Sequence, residues 1–291
     1  MKILSTHSDF LDFSVKKYPS RNIKKNFEAY FYDYFKKSEV DSRYTYIPIQ
    51  WTNYLVKNNY GKDIEELRKF LLNNLKSSEK YFTIVQYAGG PLVELENTLI
   101  FSMGGTFNTK VPKSSKVIPL PLIYDMNSNI NEELQKKYLA SYLGRPTHKI
   151  RIKLEKKLKN KDDFYIKNLI SMNSEFSIEE QFKFQQIISE SYFSLCPRGY
   201  GPTSFRLYET IDAGVVPVYI SDKHFLPFSE FLNWEDFSII IKPNEISKLH
   251  KILKNKLENN LYSTLQRNVD KVNQEYFNFS YMSEYILNRV I

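Results

Sequence analysis

From Tyr138 onward, short apolar runs alternate with stretches whose apolar residues recur every third or fourth position. LASYL predicts a strand. The basic run Lys149–Lys161 carries Ile150, Leu154 and Leu158 at helical spacing and predicts a helix with a solvated basic face. FYIKNLI, Phe164–Ile170, is a second strand. SIEEQFKFQQIISE follows as a helix, with Ser177 and Glu180 at capping-box spacing and Ile178, Phe182 and Ile187 as a rough apolar stripe. SYFSLCP then predicts a strand, TSFRLYETIDAG a helix stopped by Gly214, and VVPVYI another strand. FSIIIKP, Phe237–Pro243, is one more strand, and NEISKLHKILKNKL opens a helix with Asn244 as its cap. Strand and helix in alternation predict a parallel sheet covered on both faces, with ligands at the carboxyl ends of the strands.

The first half is less regular. YTYIPIQW, EKYFTIVQYAGGP, NTLIFSMGG and KVIPLPLI read as strand pieces followed by turns. KDIEELRKFLLNNL is amphipathic, with Ile64, Leu67, Leu71 and Leu75 on one side. It too reads as α/β. The expected organisation is a Rossmann-like domain at 1–139, a ligand-binding domain at 140–270 and a C-terminal helix at 271–291, with a crossing back to the first domain left open.

The 291 residues suit two domains. The net charge of +8 favours an anionic partner, but the lysines are spread along the chain and no nucleic-acid motif accompanies them. One cysteine, Cys196, excludes an intramolecular disulfide framework and fits a reducing compartment. MKILSTHSDFLDFS has no sustained apolar stretch, and no segment is long and apolar enough to span a bilayer. These features suggest a cytoplasmic protein, with peripheral membrane contact left open.

The stretch CPRGYGPTSFRLYETIDAGVVPVYIS, Cys196–Ser221, places polar chemistry between two apolar runs. Gly199 and Gly201 let the backbone pass close to a ligand or turn with positive φ. Pro202 and Thr203 begin a helix whose first amides favour an anion. Arg198 brings a planar fork of donors to the same place. Together they make a candidate diphosphate site. Glu209, one face-step from Arg206, is placed to accept two ribose hydroxyls. The same residues also fit an exposed ion pair and a pair of chain-turning glycines. Neither GxGxxG nor GxxxxGK[ST] occurs, which excludes a simple dehydrogenase or P-loop reading.

This stretch resembles the exostosin-like glycosyltransferases (GT47-type). The family pattern is a strand, then CPRG-x-G-x-x-S-x-R-L-x-E, then a small residue with G-x-x-PV. Downstream, LPFSEFLNWEDFSIII is similar to the family's LPF…W…FS tail, and SYLGRPTHKIR, Ser141–Arg151, to its F-x-G…R segment. YTYIPIQW and KVIPLPLI are similar to its shorter Y-x-P and V-x-P-x-P segments. The resemblance implies an α/β protein of GT-B fold, two Rossmann-like domains facing a cleft. It implies a nucleotide-sugar donor bound by the C-terminal domain, a glycan acceptor on the other side, inversion at the anomeric carbon, and no cofactor or bound metal. Carried over residue by residue, Glu209 holds the ribose and Arg198 meets the diphosphate or sugar. Arg145 or Arg206 is a second cation for the leaving charge. Gly199, Tyr200 and Gly201 line the donor sugar, and Thr203 and Ser204 add hydroxyl or backbone donors. A base for the acceptor hydroxyl is sought in the first domain, with His7, Asp9 and Glu94 as candidates. UDP is the expected nucleotide from family habit. The chain shows no anchor or stem of the Golgi members and no second transferase domain, which suits a bacterial or viral glycan pathway. A non-catalytic nucleotide- or glycan-binding module on the same fold is the alternative.

Overall fold

The computed structural model describes residues 2–13, 26–124, 134–169 and 178–291. The chain divides into two units, Met1–Asp125 with Asn278–Ile291, and Met126–Phe277. Both are α/β and Rossmann-like, the make-up of the GT-B class. A boundary at 139 would cut the first strand of the second unit.

In the first unit, β1 (Thr45–Tyr46), β2 (Tyr81–Val85), β3 (Thr98–Ser102) and β4 (Lys116–Pro119) form a parallel sheet in that order. YTYIPIQW yields only a two-residue strand, because Trp51 already opens a helix. Around the sheet lie α1 (Phe27–Lys37), α2 (Trp51–Lys57) and α3 (Glu65–Asn74). α1 buries Phe27, Phe31 and Phe35, one per turn. Phe31 and Phe35 meet the stacked pair Tyr46–Phe82 edge-on. Each such ring contributes roughly 1.5–3 kcal/mol by leaving water. α3 buries Leu67 and Leu71, as its periodicity requires.

An acidic side chain crosses this core. Glu28, 1% exposed, accepts from the Thr52 amide at 3.0 Å, the Thr52 hydroxyl at 2.8 Å and the Gln86 amide at 2.7 Å. It thereby joins α1 to the start of α2 and the end of β2. Burial raises its pKa from the ordinary 4.5 to about 7, against those hydrogen bonds. Between these values the folded protein keeps a proton that the unfolded chain has lost. Stability should therefore fall as pH rises through that window, by about 3 kcal/mol in all, and level off above it. Glu28→Gln is expected to flatten this slope. Unfolding midpoints at about pH 5 and about pH 8 check it, and an unchanged slope in the variant would assign the titration elsewhere.

The second unit runs β5 (Tyr138–Gly144), α4 (Lys149–Leu158), β6 (Phe164–Asn168), α5 (Ile178–Ser189), β7 (Ser191–Pro197), α6 (Phe205–Asp212), β8 (Val216–Ile220) and β9 (Ile239–Ile241). Then come α7 (Leu249–Glu258) and α8 (Leu261–Tyr276). The strands are parallel in the order β6-β5-β7-β8-β9. The order reverses between β5 and β7, so a crevice opens at their carboxyl ends. α6 stops where expected. Gly214 has φ +64°, and a Cβ there would stand 2.9 Å from Asp270 Oδ1. Asn244 is not the cap foreseen. Pro243 starts a 3-10 turn, Pro243–Lys248, and Glu245 accepts from the Lys242 amide at 3.0 Å, which delays α7 to Leu249. Ser177 and Ile170 lie outside the described residues.

The span 271–291 is not one helix. α8 ends at Tyr276, and α9 (Phe279–Val290) starts afresh behind Asn278, whose side chain accepts from the Tyr281 amide at 2.9 Å. α9 belongs to the first unit, where Phe279 packs on Phe27 and Tyr30 and the Val290 carbonyl accepts from Arg43 and Ser42.

Candidate functional site

The polar residues singled out in the Cys196–Ser221 stretch, with Arg145, gather at the β5/β7 switch point. The strand β7 ends at Pro197, and the Arg198 amide still bonds the Ile220 carbonyl at the end of β8. The loop 198–204 then runs to α6, whose N-cap is Ser204.

Arg198 is 5% exposed and turned back on its own loop. Nε donates to the Gly201 carbonyl at 3.1 Å, one terminal nitrogen to the Tyr200 carbonyl at 3.1 Å and the other to Asp222 Oδ1 at 2.5 Å. Burial works against the Asp222 carboxylate, but the Arg198 hydrogen bond and charge outweigh it and hold the group below its ordinary value. Three further hydrogen bonds close the loop. The Gly199 amide bonds the Thr203 carbonyl, and Tyr219 and Ser221 hold the Pro202 carbonyl. Arg151, from α4, reaches across and donates to the carbonyls of Arg198 (2.9 Å), Pro197 (3.1 Å) and Arg145 (3.0 Å). It thus ties the loop after β5 to the loop after β7. Gly199 does not use positive φ; a Cβ there would meet the Arg151 guanidinium at 3.2 Å, so close approach is what the glycine supplies.

The carbonyls of Pro197, Arg198, Tyr200, Gly201, Pro202 and Thr203 are thus all taken by donors of the protein. Thr203, 3% exposed, and Ser204 each carry a buried hydroxyl with no hydrogen-bond partner in the protein. Thr147, in the loop after β5, carries a third. Three such hydroxyls on two facing loops and a helix start are uncommon, since buried polar groups are normally satisfied. Tyr200 stands out into solvent.

Arg206 and Glu209 lie on α6 and are both buried. The Arg206 guanidinium sits 4.4 Å from the Phe184 ring centre and 5.3 Å from that of Tyr142. It donates to the Ser194 hydroxyl and to the Leu143 carbonyl, one residue before the end of β5. Arg145 follows β5, half-buried.

His7, Asp9 and Glu94 lie in the first unit, all exposed. His7 and Asp9 pair at 3.2 Å and Glu94 pairs with Lys110 at 3.1 Å, contacts of little energetic weight at such exposure. Sequence reading passed over three residues of the switch point: Arg151, Asp222 and His148. Arg151 closes the quoted SYLGRPTHKIR segment and was legible there as its terminal arginine. Asp222 had no signal, because its partner comes from another loop, and His148 had none, because histidine is not an ordinary helix cap.

A family model described as the exostosin GT47 domain matches residues 71–256, more than half of the chain. A probable glycosyltransferase of Arabidopsis thaliana is 32% identical over 54% of this chain and 33% of its own length. A probable glucuronoxylan glucuronosyltransferase of the same plant is 40% identical over 30% of this chain and 19% of its own. An exostosin-1 homolog of Caenorhabditis elegans is 30% identical over 42% of this chain and 36% of its own. The chain therefore spans well under half the length of these relatives. Among solved structures, TarM is similar at TM-score 0.45 and 10% identity, over 90% of this chain and 58% of that one, a likeness too slight to add to the sheet topology.

These plant and nematode relatives overturn the expectation of a cytoplasmic protein in a bacterial or viral pathway. Cys196 does not support it either. The thiol is 1% exposed and burial pushes it up to about 11, so it is sheltered from any compartment's redox state. Among the described residues no helix is long and apolar enough to cross a membrane. From the matched model over residues 71–256 it follows that this chain belongs to the exostosin GT47 family.

Proposed function

We propose that the chain is a glycosyltransferase that takes a sugar from a nucleoside diphosphate sugar, bound at the β5/β7 switch point, and passes it to a glycan hydroxyl. The observation that carries this reading is the set of buried, unpartnered hydroxyls of Thr203 and Ser204 at the start of α6, on a loop whose carbonyls are already engaged. A helix start suits an anion. The reaction expels a diphosphate, so donors set in place before reaction stabilise the charge that develops.

In this reading the Thr203 and Ser204 hydroxyls and the first amides of α6 hold the diphosphate, and Gly199 and Gly201 line the sugar. Arg145 supplies positive charge, and Arg198 keeps the cradle in shape. Tyr200 borders the sugar, and Glu209 holds the ribose. Arg206 fixes the strand ends from beneath. UDP as the nucleotide, inversion, and reaction without a metal belong to the same proposal. The base for the acceptor hydroxyl belongs to the first unit, with His7, Asp9 and Glu94 as its candidates. Relatives named as glucuronosyltransferases support a polysaccharide acceptor.

Thr203→Val tests the carrying observation. The substitution is nearly isosteric and removes a hydroxyl that bonds nothing in the protein. Stability should hold or rise slightly, while affinity for UDP or GDP should fall about tenfold, the value of one good hydrogen bond. Equal nucleotide affinity in variant and wild type would defeat the assignment. Nucleotide-sugar binding without turnover on a broad acceptor panel would instead favour the non-catalytic module.

A further inference from the structure

His148 follows the loop after β5 and caps α4. Its Nδ1 accepts from the Ile150 amide at 3.3 Å. That bond places the ring proton on Nε2, away from the helix. Caps are ordinarily Ser, Thr, Asp or Asn, which satisfy the amide and end there. An imidazole satisfies it and carries a second nitrogen beyond the cap. The charges that act on the ring come from both sides of the switch point: Arg198 and Asp222 from the loops after β7 and β8, and Lys149 and Arg151 from α4. Burial first, and then the Arg198 charge, hold the ring below its ordinary pKa, so the capping tautomer persists at neutral pH. Beside it stands Thr147, with a buried hydroxyl that bonds nothing in the protein and that lies 3.7 Å from where a Gly199 Cβ would be.

We propose that His148 is a ligand-binding residue of the donor site, offering its Nε2–H to an oxygen of the nucleotide's diphosphate. The inference rests on the donor-site reading above. The Nδ1 bond keeps the ring in one tautomer and one orientation, so the donor is held in place before the anion arrives. Loss of the sugar increases the charge on the diphosphate, and a hydrogen bond to it strengthens in the same direction.

The test separates capping from binding. His148→Asn keeps a side-chain oxygen for the Ile150 amide but is too short to present the distal donor. The full chain and the variant are compared by chemical denaturation and by calorimetric titration with UDP and with GDP. The expected result is an unchanged or higher unfolding midpoint and about tenfold weaker binding of whichever nucleotide the wild type takes. His148→Gln, whose amide extends further, should recover part of the binding at some loss of the cap. If His148→Asn binds the nucleotide as tightly as the wild type, His148 is a cap and nothing more. If the wild type binds neither nucleotide, the donor-site reading falls first and this inference with it.

Discussion

Arg206→Ala is expected to destabilise the second unit by about 3–5 kcal/mol, the scale of truncating a large buried side chain. Three losses combine. The guanidinium, in a residue 5% exposed, is stacked at 4.4 Å over Phe184 and at 5.3 Å over Tyr142, and truncation empties that space. The Leu143 carbonyl loses a charged donor at the end of β5. The Ser194 hydroxyl keeps only its bond from Thr210, at 2.9 Å. Arg206→Lys keeps the charge but not the flat fork, so it should recover less than half of the loss. Denaturant unfolding followed by an aromatic signal measures both. A loss under about 1 kcal/mol for the alanine variant, the level of an exposed ion pair, contradicts the buried role. Sequence alone left Arg206 either meeting a leaving group or bracing Glu209. Its contacts add a task that neither anticipated, the joining of α6 to β5 and β7.

That contrast marks what was legible in the chain. The β7–α6 unit could be read because each cue is local: an apolar run, Pro and Gly punctuation, then a helix stopped by Gly214 at φ +64°. The same alternation gave the parallel sheet of the second unit, but its strand order, and with it the switch point, came only from the pairing. α1 could not be read. Its buried Phe27, Phe31 and Phe35 are interleaved with Tyr30, Tyr32 and Tyr34, so aromatic residues stand on every side and the period is hidden. The break between α8 and α9 hangs on one asparagine cap, Asn278, within a stretch that otherwise stays helical in pattern. At the site, residue types were legible and their partners were not. CPRGYG announces a cation and room for a ligand. Nothing in it says that Arg198 turns inward to its own loop and to Asp222. Glu28, whose partners come from Thr52 and Gln86, is silent in sequence for the same reason.

Arg198→Ala should therefore weaken nucleoside diphosphate binding by about a hundredfold, near 3 kcal/mol, through the shape of the loop more than through lost attraction. Its fork holds the Tyr200 and Gly201 carbonyls inward, and without it both can turn toward the place proposed for the anion. Truncation also leaves Asp222 ionised and unneutralised beside the same place, since the Arg198 bond at 2.5 Å is its charged partner there. Part of the penalty is then repulsion by Asp222, and that part can be measured. Asp222→Ala alone should cost about tenfold or less, because Arg198 keeps its two carbonyls. In the double variant the repulsive carboxylate is gone, so the combined loss should be smaller than the product of the two single losses, by about 1 kcal/mol or more of coupling. Affinities for UDP and GDP from titration calorimetry complete the cycle, and denaturation of each variant separates binding from folding. Strictly multiplicative losses would mean that Asp222 does not face the anion. An undiminished affinity in Arg198→Ala would remove the loop from the donor site altogether. Coupling of the expected sign would give Arg198 two distinct duties, holding the oxygens of the cradle inward and neutralising the one carboxylate that would otherwise repel the ligand.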